Sequence, residues 1–111
     1  MNEQLADKKC VPCRGGIPPL KGADLATLQA KVPGWTVEND QHLHRVFRFP
    51  DFKQALDFVN RVGQIAEEEG HHPDIVLTWG KVEITVWTHK IDGLTESDFI
   101  LAAKIDRLQS V

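Results

Sequence analysis

Phe52, Ala55, Leu56, Val59, Val62, Gly63 and Ala66 recur at the i, i+3, i+4, i+7 spacing of one helix face. No other feature of the chain constrains its fold as strongly. The helix these residues predict opens at Pro50-Asp51, with Asp51 as its cap, and runs to Glu69. Gly70 then stands where a left-handed residue ends many helices. A helix with one apolar stripe must lay that stripe on another layer, and the segments on either side supply a sheet.

Upstream, WTVEND reads as a short strand, and QHLHRVFRF alternates. Leu43, Phe47 and Phe49 share one parity, with Arg45 as the exception, while His42, His44, Val46 and Arg48 share the other. Asn39-Asp40 is the expected turn between them. Downstream, the β-branched runs DIVLTW and KVEITVWTH flank Gly80-Lys81 and predict a second hairpin. Val82, Ile84 and Val86 would face one way, and Glu83, Thr85, Trp87 and His89 the other. A first helix is expected over Asp24–Lys31, with Leu25, Leu28 and Val32 on its apolar side. A last one opens at TESD and buries Phe99, Ala102, Ile105 and Leu108. The order α-β-β-α-β-β-α, with two hairpins, predicts an α+β domain over residues 21–111: a four-stranded antiparallel sheet with three helices on one face. The other face would carry His42, His44, Thr85, Trp87 and His89, and an aromatic side chain such as Trp87 there suggests an interface.

The 111 residues suit one domain with a modest core. A net charge of −3 gives no electrostatic reason to expect nucleic-acid binding. No apolar run is long enough to cross a membrane, and MNEQLADKKC has no apolar signal region, so a cytoplasmic enzyme or binding protein is expected. Residues 1–20 read as an irregular, loosely docked arm with a CxxC pair, Cys10 and Cys13. Two thiols are half of a zinc site, so a metal or disulfide role is the alternative, and no catalysis is assigned to them.

Histidine titrates near neutral pH and suits acid-base work. His42 and His44 read as surface or interface residues. His71 and His72 differ, because Pro73 stiffens the backbone before it. With a turn at Gly80-Lys81, residue 79 pairs near 82 and residue 72 near 89, so the hairpin brings His89 to His71 and His72. A joint active site and simple turn or surface roles both fit that pattern. Metal binding is not expected, since adjacent extended residues point apart. Asp98 has the position of the fourth residue in a capping box begun by Thr95. Trp35 and Trp79 read as packing residues before ligand-stacking ones.

An acid, three residues, His-His-Pro, five residues, an aromatic, nine residues, His, eight residues and Asp describes Glu67, His71, His72, Pro73, Trp79, His89 and Asp98. This pattern resembles the signature of the pterin-4a-carbinolamine dehydratases. The similarity extends to Gly34-Trp35 and the helix FKQALDFVNRVGQIAEEEG, and covers roughly residues 22–108. The resemblance implies the same α+β fold, homodimers or homotetramers, and dehydration of a 4a-hydroxytetrahydropterin to a quinonoid dihydropterin, in tetrahydrobiopterin recycling. It implies no metal and no organic cofactor, and an aromatic amino-acid hydroxylase as metabolic partner. It assigns catalysis to His71, His72 and His89, with His71 and His89 as the proton-transfer pair and His72 in binding or orientation. Glu67, Pro73, Trp79 and Asp98 would bind, shape or orient. Three acids at a helix C-terminus are electrostatically misplaced. Glu67, as the signature acid, is expected to orient or bias the histidines, and Glu68 and Glu69 to face solvent. Relatives also act as dimerisation partners of transcription factors or as assembly chaperones, so a binding module is the alternative, with a pterin role tied to molybdenum-cofactor metabolism as a third.

Overall fold

A computed structural model of the chain describes residues 5–10 and 18–109. Cys13, and with it the reading of the cysteines as a pair, lies outside the described residues. The elements follow the expected order: α1 (Gly22–Gln29), β1 (Thr36–Glu38), β2 (His42–Arg48), α2 (Phe52–Glu69), β3 (Asp74–Thr78), β4 (Lys81–Val86) and α3 (Glu96–Arg107). Two short 3-10 turns, Leu5–Asp7 and His89–Ile91, complete them. The four strands form one antiparallel sheet in the order β1-β2-β4-β3. Among the described residues no helix is long and apolar enough to cross a membrane.

Local chemistry sets the ends of α2. The Asp51 carboxylate accepts the Gln54 N–H at 2.8 Å. At the other end Gly70 takes φ 63°, and the His71 N–H turns back to the Ala66 carbonyl at 3.2 Å. A left-handed residue there suits glycine, which has no Cβ to clash. The helix therefore stops where the chain must swing His71 back across the sheet.

The core lies between the helices and the sheet face carrying Leu43, Phe47, Val82, Ile84 and Val86, all buried. The buried stripe of α2 is Ala55, Phe58, Val62 and Ala66. Phe52 and Leu56, which the spacing placed on that stripe, are 43% and 37% exposed. The helix is rolled so that Phe58 meets Phe47 and Phe49, with ring centres 4.7 and 5.0 Å away.

Arg45, the polar exception on the inward parity of β2, is explained by α3. Its guanidinium lies 2.8 Å from Asp106 Oδ1, to which the indole of buried Trp35 also donates at 2.9 Å. Burial pushes the Asp106 carboxyl up, while the Trp35 hydrogen bond and the Arg45 charge act against that rise.

The second hairpin turns one residue earlier than expected. Thr78 pairs with Lys81, leaving Trp79-Gly80 as the turn, with Gly80 at φ 71°. A Cβ on Gly80 would lie 2.9 Å from the Phe49 carbonyl, so the close approach of β2 fixes where glycine must sit. This shifts the register by two residues. His72 falls opposite Trp87, and regular pairing in β4 ends at Val86.

Candidate active site

His71, His72 and His89 come together at the end of the second hairpin. They line an open cleft of about 300 Å³ with Gly70, Trp87, Thr88 and Lys90. The register shift does not part them, because the chain after β4 bends into the 3-10 turn that begins at His89. A bridge between Thr88 and Gly93 closes that bend.

Asp98 is the anchor. It is wholly buried, on the first turn of α3. Its Oδ2 accepts the Thr95 N–H at 2.8 Å, closing the expected capping box, and the Thr88 hydroxyl, also at 2.8 Å. Its Oδ1 lies 2.6 Å from His71 Nε2. A buried carboxylate is tolerated when donors surround it, and here three do. An ionised carboxylate only accepts, so with Asp98 ionised the hydrogen of this contact sits on His71 Nε2. The contacts that cap α3 and the contact to His71 therefore belong to one network around Asp98.

His72 is oriented differently. Its Nε2 meets Glu67 Oε2, on the exposed rim one turn back along α2. Glu67 thus reaches the histidine cluster, through His72 and not His71. Pro73 sets the chain between His72 and β3. The two adjacent imidazoles pair with different carboxylates. Among the described residues no three ligating side chains converge in a way that could hold a metal ion.

His89 is exposed, and its ring lies 4.2 Å from that of Trp87. Trp87 in turn lies 4.3 Å from His42, so the three rings form a row on the outer sheet face. Period-two alternation placed them on one face but did not show that Trp87 belongs to the cleft. Thr88 gave no signal in the sequence at all, because its partner Asp98 is brought in by the fold. His44 sits elsewhere on this face, 3.4 Å from Glu83. Trp79 stands at the hairpin tip, 71% exposed, and is not among the residues lining the cleft.

Glu69 does not face solvent. Its Oε1 accepts the Cys10 N–H at 2.8 Å, and its Oε2 lies 3.7 Å from Lys104. The Cys10 N–H, more than any other group, holds this carboxyl below its ordinary range. Of the three acids ending α2, Glu67 meets a histidine, Glu69 meets the N-terminal segment, and Glu68 is exposed.

The family described as Pterin 4 alpha carbinolamine dehydratase matches residues 18–108. A Rubrobacter xylanophilus protein named "Putative pterin-4-alpha-carbinolamine dehydratase" is 65% identical over 105 residues, covering 95% of this chain and 98% of its own. An Alkaliphilus metalliredigens protein of the same name is 55% identical over 107 residues, covering 96% of each. Among solved structures, a transcriptional coactivator/pterin dehydratase from Brucella melitensis is similar with a TM-score of 0.76 and 28% identity. That match covers 81% of this chain and 97% of that one. A pterin dehydratase-like protein identified as a RuBisCO assembly factor in the alpha-carboxysome matches with a TM-score of 0.59 and 26% identity, over 68% of this chain and 88% of its own.

Proposed function

Because the chain belongs to the pterin-4a-carbinolamine dehydratase family, we propose that its cleft dehydrates a 4a-hydroxytetrahydropterin to a quinonoid dihydropterin. The observation that carries this reading is that His71, held from behind by buried Asp98, lines the same cleft as His89 and His72. In the reaction a proton goes to the 4a-hydroxyl, the C4a–O bond breaks and water leaves. The N5 proton goes to a base, and the N5–H electrons form the C4a=N5 double bond. The enzyme ends with as many protons as it began with.

His71 and His89 are the proton-transfer pair in this proposal. His71 exchanges through Nδ1, while Asp98 fixes the opposite nitrogen. His72, steadied by Glu67, binds and orients the pterin. Trp87 offers an aromatic surface at the cleft for the flat heterocycle and steadies His89 beside it. A positioned acid-base group contributes about 10²–10⁴-fold. The wider setting we propose is cytoplasmic recycling of a tetrahydrobiopterin-type cofactor by a homo-oligomer, downstream of an aromatic amino-acid hydroxylase. The test is consumption of chemically generated 4a-hydroxytetrahydropterin, measured against its spontaneous dehydration. A catalysed rate supports the proposal, and a rate equal to the uncatalysed one rejects it.

A second reading, a protein-binding role, is favoured by the coactivator and assembly-factor descriptions of the two solved relatives. Exposed Val46 and Val76 on the outer sheet face would serve it. Partner capture that is lost in a Val46→Asp, Val76→Asp variant with unchanged turnover would establish that role.

A further inference from the structure

The N-terminal segment is tied to both elements that deliver the His71–Asp98 pair. Leu5 and Ala6 are buried against the domain. The Lys104 ammonium, on α3, donates to the Ala6 carbonyl at 3.0 Å and lies 3.7 Å from Glu69 Oε2. Glu69 Oε1 accepts the Cys10 N–H at 2.8 Å. The Cys10 thiol donates to the Ser97 carbonyl at 3.4 Å. Arg107–Asp7 and Lys8–Glu96 ion pairs, at 2.9 and 3.0 Å, hold the outer sides of the segment. Glu69 is two residues before His71, and Ser97 is the neighbour of Asp98. Between Glu69 and His71 the backbone has little freedom, because Gly70 and His71 are both hydrogen-bonded back into α2.

From this arrangement we infer that Glu69 is a positioning residue for the His71–Asp98 pair, acting through the N-terminal segment Leu5–Cys10 and Lys104. The segment works as a clasp. It fixes the end of α2 against the first turn of α3, and so sets the approach of His71 Nε2 to Asp98 Oδ1. Glu69 touches neither substrate nor reacting atoms. Its side chain is only 13% exposed, so water does not readily replace the contacts it makes. Small misplacements of acid-base groups are costly to a rate, which is why a contact remote from the cleft can matter.

The inference rests on the dehydratase reading for its kinetic arm and on geometry alone for its spectroscopic arm. Glu69→Ala is expected to lower kcat roughly tenfold with KM little changed. Glu69→Gln keeps an oxygen for the Cys10 N–H and is expected to recover most of that loss. In parallel, the Nε2 proton of His71, hydrogen-bonded to a buried carboxylate, is followed by NMR and assigned by its loss in His71→Ala. Its signal should shift or broaden in Glu69→Ala and return in Glu69→Gln. If Glu69→Ala does not fold, Lys104→Met, which removes the ammonium shared by Glu69 and Ala6, must move both kcat and the signal. Unchanged kcat and an unchanged His71 signal in a folded variant overturn the clasp. A wild-type protein without dehydratase activity overturns the proposed function instead, and the NMR signal then decides the clasp by itself.

Discussion

Asp98, with no surface exposed to solvent, holds His71 Nε2 at 2.6 Å while capping the helix that carries it. One carboxylate therefore closes the helix cap and holds the histidine, and in the proposed mechanism it serves the fold and the chemistry together. Separating the two roles requires variants that remove one without the other.

Asp98→Asn should lower kcat/KM by on the order of 10²-fold, because the amide no longer enforces one tautomer on His71. It should also lower stability. Thr95→Ala leaves the Asp98–His71 contact in place but removes the Thr95 hydroxyl from the cap and from Thr88 Oγ1, 3.2 Å away; it is expected to cost about 1 kcal/mol while leaving kcat within about twofold. Thermal unfolding and steady-state kinetics on both variants check the separation.

Trp87→Ala should raise KM several-fold and lower kcat less, since it removes a surface beside His89 but no proton-transfer group. Aromatic contacts of this kind are worth about 0.5–1.5 kcal/mol beyond area burial, which sets the scale of the KM change. Trp87→Phe should recover most of it. Pterin-dependent initial rates on the three proteins decide this.

His72→Ala should act mainly on KM, and Glu67→Gln should do so more weakly. Their pair lies on the exposed rim, where an ion pair is worth about 0.2–1 kcal/mol. A kcat loss in Glu67→Gln as large as that of His71→Ala would contradict this assignment.

The clasp also predicts how stability changes with pH. Burial first, and then the Glu69 carboxylate, push the Cys10 thiol from 9.0 up to about 12. Between those values the folded chain keeps a proton that the unfolded chain has released, so stability falls as pH rises. Glu69 behaves oppositely. Its carboxyl is held below 4.5, chiefly by the Cys10 N–H. Its contribution is present above 4.5 and is lost as pH falls through the folded-state value. Melting curves should show Cys10→Ala flattening the alkaline limb and Glu69→Gln flattening the acid limb.

What was legible in the sequence was local. Asp51 as cap, Gly70 as stop, the capping box at Thr95 and Asp98, and the alternation of β2 each depend on residues a few positions apart. All four are found as expected. The three histidines were placed together by hairpin geometry, even though the turn falls at Trp79-Gly80. What could not be read depends on contacts between distant segments. Arg45 needs Asp106, Thr88 needs Asp98, and Glu69 needs Cys10 and Lys104. The roll of α2 that exposes Phe52 and buries Phe58 is likewise set by Phe47 and Phe49 on the sheet. No local spacing encodes these choices, nor that Trp79, the aromatic of the signature, lies at the hairpin tip outside the cleft lining of this chain.

The proton-transfer assignment is tested most directly by the decay of chemically generated 4a-hydroxytetrahydropterin with wild-type protein and with a His71→Ala, His89→Ala double variant. The wild type should exceed the spontaneous rate, and the folded double variant should fall back to it. A double variant that still dehydrates the substrate at the wild-type rate would contradict the account.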